Sequence, residues 1–330
     1  MLFGLVAPRP TVCTAEDHQT DTIQEHVKRS MNIHLVQGPP GTGKTSSLLT
    51  SYIEDIYTST DKRIMILSFT NRAVDEICNC LLSRDIPFIR TGNSQSIEAQ
   101  LISNVIAGKR FQEITTVLKA NRIFVATVQS ANAWYRDLFK INSIDEIIID
   151  EASQITESSI LGILSGIEKV VFIGDQNQLP PILVQPSLPY DFQHQELKSL
   201  CYGNPNQSLM ERLFQVYERN GWTHSIDTLT QHFRMHKDIS ALVDSYYKGR
   251  LVPMLEVQSQ ELCVSLPHLP DKRIVWIDCP VAQHEYYDPV QISLISKFVQ
   301  SWDKANLIQD FSKDIGIVAP YRAMIYALRA

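Results

Sequence analysis

Residues 33–50 constrain the fold more tightly than any other stretch. The apolar run Ile33-His34-Leu35-Val36 leads through Gln37 into Gly38-Pro39-Pro40-Gly41-Thr42-Gly43-Lys44-Thr45, and a helical pattern opens near Ser46. A strand, a G-x-x-x-x-G-K-[ST] loop and a helix in that order form the context that a phosphate-binding loop requires. The glycines let backbone N–H groups turn inward at a helix N-terminus, where they cradle phosphate oxygens. Lys44 would neutralise the β- and γ-phosphates and the Thr45 hydroxyl would ligate Mg²⁺. Residues 38–46 are therefore expected to hold a nucleotide; the alternative is a structural glycine-rich turn, although a chance match in a chain this long has a probability of about one per cent.

Four more short apolar runs follow: Ile64-Met65-Ile66-Leu67, Ile123-Phe124-Val125-Ala126, Ile147-Ile148-Ile149 and Val170-Val171-Phe172-Ile173. Continuous β-branched runs suit strands buried on both faces, and helical patterns at 19–29, 46–57, 73–82 and 158–164 separate them. That alternation predicts an α/β fold with a parallel sheet covered by helices. Between about 87 and 120 the alternation weakens, which places a helical insertion there rather than a further sheet element; a long crossover is the alternative. A second α/β series after Gly221 (Ile274-Val275-Trp276-Ile277, a helix near 290–302, Ile315-Gly316-Ile317-Val318) puts a domain boundary near Ser225. The expected domains are thus residues 1–225 and 226–330.

Thirty Lys+Arg against 36 Asp+Glu give a net charge of −6, so no bulk positive field draws the chain to a polyanion, and any such partner must be gripped in a local groove. The six cysteines include no C-x-x-C pair and read as scattered thiols of a reducing compartment. The apolar opening at 1–7 lacks a basic leader and stops at Pro8, and no stretch approaches a membrane span of about 18 residues. These features predict a cytoplasmic protein with no membrane partner.

Three clusters carry further chemistry. The third apolar run ends in Asp150-Glu151. In a phosphate-cradle protein the first acid would hold Mg²⁺ and the second would align and deprotonate a water, whereas alone the pair would be a solvated turn. The next strand runs into Gly174-Asp175-Gln176-Asn177-Gln178, where a neutral amide such as Gln178 would sense loss of a γ-phosphate; the alternative is a polar loop before Pro180-Pro181. Past the boundary lies Thr230-Gln231-His232-Phe233-Arg234-Met235-His236. An arginine supplied there by a second domain would stabilise transition-state charge when the domains close; the alternative is a surface charge. Trp134 and Tyr135 would stack bases or, as adjacent residues pointing different ways on a helix, pack into the core, the favoured reading.

From about Glu16 to Arg322 these motifs, in their order, resemble the superfamily 1 helicases of the 5′-to-3′ branch, which holds the nonsense-mediated-decay RNA helicase and the Okazaki-fragment nuclease-helicase. The resemblance implies a P-loop NTPase with two RecA-like parallel-sheet domains, the second incomplete. It also implies ATP and Mg²⁺ as cofactors and single-stranded nucleic acid as partner, with movement 5′ to 3′. Gln19, with Gln24 nearby, looks like the adenine-reading glutamine. Ser68-Phe69-Thr70-Asn71-Arg72-Ala73-Val74-Asp75 resembles motif Ia, and Ala126-Thr127-Val128-Gln129-Ser130 the next strand-end motif. By that likeness Ser68, Thr70, Asn71, Thr127 and Ser130 would touch the nucleic-acid backbone, joined by Pro320 and Tyr321 of the Pro-Tyr segment. Asp150-Glu151-Ala152-Ser153-Gln154 is similar to motif II and residues 174–181 to motif III. In residues 231–236 the likeness makes Phe233 an adenine stack and Arg234 a γ-phosphate contact. Lys44, Asp150, Glu151, Gln178 and Arg234 are the expected catalytic set, with Thr45 and Asp150 on the metal. Motif II and the compact insertion favour DNA over RNA.

The family continues into a motif V built on Gln-Gly and a motif VI carrying a second phosphate-contacting arginine. Here the sole Gln-Gly pair is Gln37-Gly38, in the phosphate loop. The resemblance therefore implies the front part of a longer helicase. If 330 residues were the whole chain, nucleotide binding with weak turnover would be expected, an ATP-gated nucleic-acid-binding module rather than a motor.

Overall fold

The computed structural model describes residues 19–181, 195–203, 207–258, 265–279, 286 and 288–329. Cys13, Cys263 and the apolar opening lie outside them. Two compact units emerge, one of Met1–Arg234 with Tyr246–Met254, the other of Met235–Ser245 with Leu255–Ala330.

The first unit is built on seven strands: β1 (Ile33–Gln37), β2 (Ile64–Ser68), β3 (Ile89–Arg90), β4 (Ile123–Thr127), β5 (Glu146–Ile149), β6 (Lys169–Gly174) and β7 (Ile226–Thr228). Its helices are α1 (Gln19–Arg29), α2 (Thr50–Ser59), α3 (Asn71–Leu82), α4 (Ile102–Val105), α5 (Phe111–Ala120), α6 (Val128–Ile141), α7 (Glu157–Leu164), α8 (Gln195–Ser199) and α9 (Leu209–Asn220). The strands lie in the order β3-β4-β2-β5-β6-β1-β7 and every pairing is parallel. Successive side chains of a strand point to opposite faces. On one face Leu35, Met65, Leu67, Phe124, Ile147 and Phe172 join Leu138 of α6, Ile160 of α7 and Leu213 of α9. On the other Val36, Ile66, Val125, Ile148 and Val171 join Val27 of α1, Ile53 of α2 and Ile77 of α3. Both faces being covered is why most of the strands read as near-continuous apolar runs rather than alternating ones.

Two edges differ from the sequence expectation. The segment read as a helical insertion begins with strand β3, which pairs with β4 at the sheet edge, and only then turns helical as α4 and α5. Two residues are too few to leave a periodic signal. The expected boundary at Ser225 also falls too early, because β7 pairs with β1 as the opposite edge of the first sheet. Asp227 fastens it there. One carboxylate oxygen meets His26 Nδ1 of α1 at 2.9 Å, and the other meets Nε2 of the fully buried His34 at 2.8 Å. After β7, β8 (Gln231–His232) pairs with β9 (Val252–Pro253), bringing the chain back to this unit.

This clamp makes stability depend on pH. Burial pushes the His34 imidazole below its ordinary value of 6.5, against the pull of Asp227. Burial would raise the Asp227 carboxyl, but hydrogen bonds from His34 and His26 hold it below its ordinary 3.8. As acid is added below 6.5, the unfolded chain therefore binds more protons at His34 than the folded chain does, and stability falls; Asp227 adds a loss in the same direction lower down. The thermal midpoint should drop by several degrees from pH 7 to 5, and His34→Gln, which keeps a donor without titrating there, should flatten the curve.

Described by itself, the second unit holds α10 (Lys237–Ser240), α11 (Leu255–Gln258), α12 (Pro289–Lys304), α13 (Phe311–Asp314) and α14 (Arg322–Arg329). Asp288 caps α12 by accepting from the Val290 amide at 2.9 Å. The runs 274–277 and 315–318, expected as strands, carry no strand pairing among the described residues, and Trp276 and Val318 stand exposed. An apolar run becomes a strand only where a neighbour takes its hydrogen bonds. No helix among the described residues is long and apolar enough to cross a membrane.

Candidate nucleotide and strand-binding site

The phosphate loop leaves β1, which lies between β6 and the edge strand β7, and the Gly38 amide donates to the Gly174 carbonyl of β6 at 2.8 Å. Gly41 (φ 78°) and Gly43 (φ 77°) take left-handed conformations that a side chain disfavours. The Thr42 hydroxyl, donating to the Pro39 carbonyl at 2.8 Å, closes the turn. The helix expected near Ser46 starts as a wide turn, Lys44–Leu49, and becomes α2 at Thr50. Here the Thr50 hydroxyl donates to the Thr45 carbonyl at 2.5 Å. Lys44 Nζ donates to the Gly38 carbonyl at 2.7 Å and stands 4.0 Å from Glu151 Oε1.

The two carboxylates at the end of β5 are held differently. Asp150 is buried; its Oδ2 accepts from the Thr45 hydroxyl at 2.8 Å, while its Oδ1 has no hydrogen-bond partner. Burial, then the charge of Glu151, pushes this carboxyl up to about 6, although the Thr45 hydroxyl and Lys44 pull it down. A buried acceptor with an idle oxygen, next to a threonine hydroxyl, is a donor set that suits a hard divalent cation. Glu151 lies half-buried at φ 52°, a left-handed position that costs a non-glycine residue on the order of 1–2 kcal/mol.

Arg234 meets the loop directly. The Phe233 amide donates to the Gly41 carbonyl at 2.9 Å, and a Cβ placed on Gly41 would collide with Cβ of Arg234. Both residues are exposed. The sequence expectation made Arg234 a second-domain residue; it is instead the last residue of the first unit's main stretch, because β7 carries the following segment over the loop. Gly41→Ala should combine a strained φ with this collision and weaken nucleotide binding by about tenfold or more, readable by titration of a fluorescent nucleotide.

Gln178 sits in the turn that follows β6, its side-chain amide donating to Asp175 Oδ2 at 2.8 Å. The fully buried Asp175 also accepts from the Tyr247 hydroxyl at 2.7 Å, and Asn177 donates to the Tyr246 carbonyl at 2.8 Å. Burial and the Asp175 contact raise the Tyr247 hydroxyl well above the usual phenol range, so it stays a donor. Neither tyrosine carries a motif, which is why sequence reasoning missed this link.

The strand-end residues divide into a surface and its support. Thr70 and Asn71 are exposed at the start of α3, where the Thr70 side chain caps the helix by accepting from the Ala73 amide at 3.1 Å. Ser130 is half-buried, and Thr127, mostly buried, caps α6 by accepting from the Ser130 amide at 3.1 Å. Ser68 corrects the expectation: it is the last residue of a strand buried along its whole length, its hydroxyl fully covered, and it does not reach a surface partner. Trp134 and Tyr135 pack against the core, with Tyr135 edge-on to Phe139 at 5.6 Å, as the favoured reading had them.

AAA-domain family models match the chain over residues 14–188 and 205–330. The chain belongs to the superfamily 1 helicases. The DNA replication ATP-dependent helicase/nuclease DNA2 of Xenopus laevis is 26% identical over 91% of this chain and 30% of its own length. Mouse RNA helicase Mov10l1 is 23% identical over 90% of this chain and 26% of its own. The chain thus spans less than a third of the length of these relatives. A solved arterivirus nonstructural protein 10 helicase in complex with DNA aligns with 71% of this chain and 44% of its own at 15% identity, with a TM-score of 0.41.

In this superfamily 1 chain the first unit brings together residues 38–46, Asp150, Glu151, Phe233 and Arg234. The side chain of Gln19 lies outside the described residues, although its backbone opens α1; Gln24 donates to the Ser51 carbonyl at 3.4 Å. Pro320 and Tyr321 belong to the second unit, where Tyr321 packs edge-on against Tyr286 at 5.4 Å.

Proposed function

We propose that the chain is the core of a motor that hydrolyses ATP and couples hydrolysis to 5′-to-3′ movement on single-stranded nucleic acid, with DNA favoured over RNA. The observation that carries this reading is the hydrogen bond from Thr45 to Asp150 beside an idle, buried Asp150 Oδ1. Thr45 and Asp150 would hold Mg²⁺, which when bound neutralises charge on the β- and γ-phosphates. The loop amides and Lys44 would bind and orient the triphosphate. Glu151, whose left-handed backbone sets its carboxylate near Lys44, would accept the proton of the attacking water at Oε1 or Oε2. Arg234 would stabilise charge developing on the transferred phosphoryl group. Gln178, tied to Asp175, would report its loss to the segment at Tyr247.

Thr70, Asn71 and Ser130 would grip strand phosphates without a basic surface, in keeping with the acidic net charge. The exposed ring of Phe69 beside them offers a face for stacking a base. A relative named as a DNA helicase/nuclease at 26% identity supports the DNA preference.

Steady-state ATP hydrolysis with and without poly(dT) or poly(U) tests the reading. Stimulation by poly(dT) above poly(U), lost in Lys44→Ala, is expected. ATP binding with no hydrolysis under either strand would mark the ATP-gated binding module instead.

A further inference from the structure

Arg90 is among the largest fully buried side chains of the first unit, and neither the phosphate loop nor the strand-end motifs include it. It closes the two-residue edge strand β3, where its amide donates to the Gln100 carbonyl at 2.8 Å. Its guanidinium is spent on four acceptors. Nε meets Asp75 Oδ1 of α3 at 2.8 Å, and Nη1 meets the Thr91 carbonyl at 3.0 Å. Nη2 is shared between Asn71 Oδ1 at 3.2 Å and the Asn93 carbonyl at 2.9 Å. Asp75 is further held by the Ser96 hydroxyl at 3.3 Å.

Arg90 therefore joins three pieces that the chain delivers separately. Asn71 begins α3 on the exposed rim. Asn93 lies in the loop after β3. Thr91, whose carbonyl Arg90 holds, places its hydroxyl 3.4 Å from Ser130 of α6. Gly92, at φ 92°, completes the join, because a Cβ there would press on the Ser130 side chain. Burying a guanidinium is costly unless its donors are satisfied in a fixed geometry. A planar fork that meets one carboxylate, one side-chain amide and two carbonyls cannot be copied by a lysine.

We infer that Arg90 is a positioning residue: from beneath the surface it sets Asn71 at the start of α3 and the Thr91–Ser130 contact in the arrangement that grips the strand. This rests on the nucleic-acid reading above. Arg90 touches no strand itself and acts through Asn71 and the 91–93 loop.

The test is a double-mutant cycle on the 330-residue chain, with Kd for a fluorescent dT oligonucleotide and Kd for a fluorescent ATP analogue as separate readouts. Arg90→Lys should raise the dT Kd at least fivefold and leave the ATP Kd within twofold, since residues 38–45 are untouched. Asn71→Ala should raise the dT Kd by a similar factor. The two together should cost little more than either alone. Should Arg90→Lys not yield folded protein, Asp75→Asn, which removes the guanidinium's charged partner, takes its place in the same cycle. An unchanged dT Kd in the Arg90 or Asp75 variant, or losses that multiply fully with Asn71→Ala, would overturn the inference while leaving the nucleic-acid reading intact. No dT binding by the wild-type chain would overturn that reading and the inference with it.

Discussion

Glu151→Gln should cut strand-stimulated ATP turnover by a factor of 10² to 10⁴, the range set by removing a general base, while ATP binding stays within about threefold. The amide keeps the size of the side chain and the left-handed backbone at φ 52° but cannot take a proton. Lys44, 4.0 Å away, would lose a charged neighbour without losing its hydrogen bond to Gly38. Asp150, left with one fewer negative neighbour, would be easier to ionise, so metal binding should not weaken. Single-turnover hydrolysis together with an ATP Kd checks both halves. Turnover within tenfold of wild type would remove Glu151 from the chemistry and leave a positioning role beside Lys44.

Arg212→Met should lower the thermal midpoint by roughly 10 °C, through the 3–5 kcal/mol that breaking a buried ion pair costs in a unit of this size. Arg212 of α9 is fully buried and makes a two-pronged contact with Glu157 of α7, Nε to Oε2 at 2.7 Å and Nη2 to Oε1 at 2.8 Å. The Tyr202 hydroxyl donates to the same Oε1 at 2.6 Å, and its ring lies 4.3 Å from the guanidinium. With Arg212 gone, the Tyr202 hydroxyl is the side-chain partner that Glu157 keeps among the described residues. Replacing both ions by apolar residues, Glu157→Leu with Arg212→Met, should recover most of the loss, because no lone charge then remains between α7 and α9. Scanning calorimetry of the single and double variants reads the difference; a single variant as stable as wild type would show that the pair adds nothing.

Much of the first unit was legible from residue patterns. Strands β2, β4, β5 and β6 each carry an unbroken apolar run, and β1 one interrupted only by His34, because both faces of a parallel sheet are covered. The phosphate loop was legible because its chemistry is local: glycines, a lysine and a threonine act within eight residues. Strand β7 was not, since Ile226-Asp227-Thr228 carries an acid in its centre, and only His26 and His34, nearly 200 residues upstream, make that acid welcome in a sheet. The runs at 274–277 and 315–318 show the converse. They have strand composition without a strand, because composition states what a segment tolerates while pairing depends on what lies beside it.

Sequence alone therefore determined the α/β class and the strand–loop–helix that carries the phosphate-loop pattern, and it singled out Lys44, Thr45, Asp150 and Glu151 as candidates, since each follows from local periodicity or from a motif whose parts are close in the chain. Tertiary structure alone decided that Thr45 and Asp150, 105 residues apart, share a hydrogen bond and leave one oxygen idle. It also placed Arg234 on the phosphate loop from the first unit, withdrew Ser68 from the surface, and set Arg90 beneath Asn71. Burial and hydrogen-bond partnership belong to pairs of distant residues, and the order in which parallel strands line up settles which of them meet.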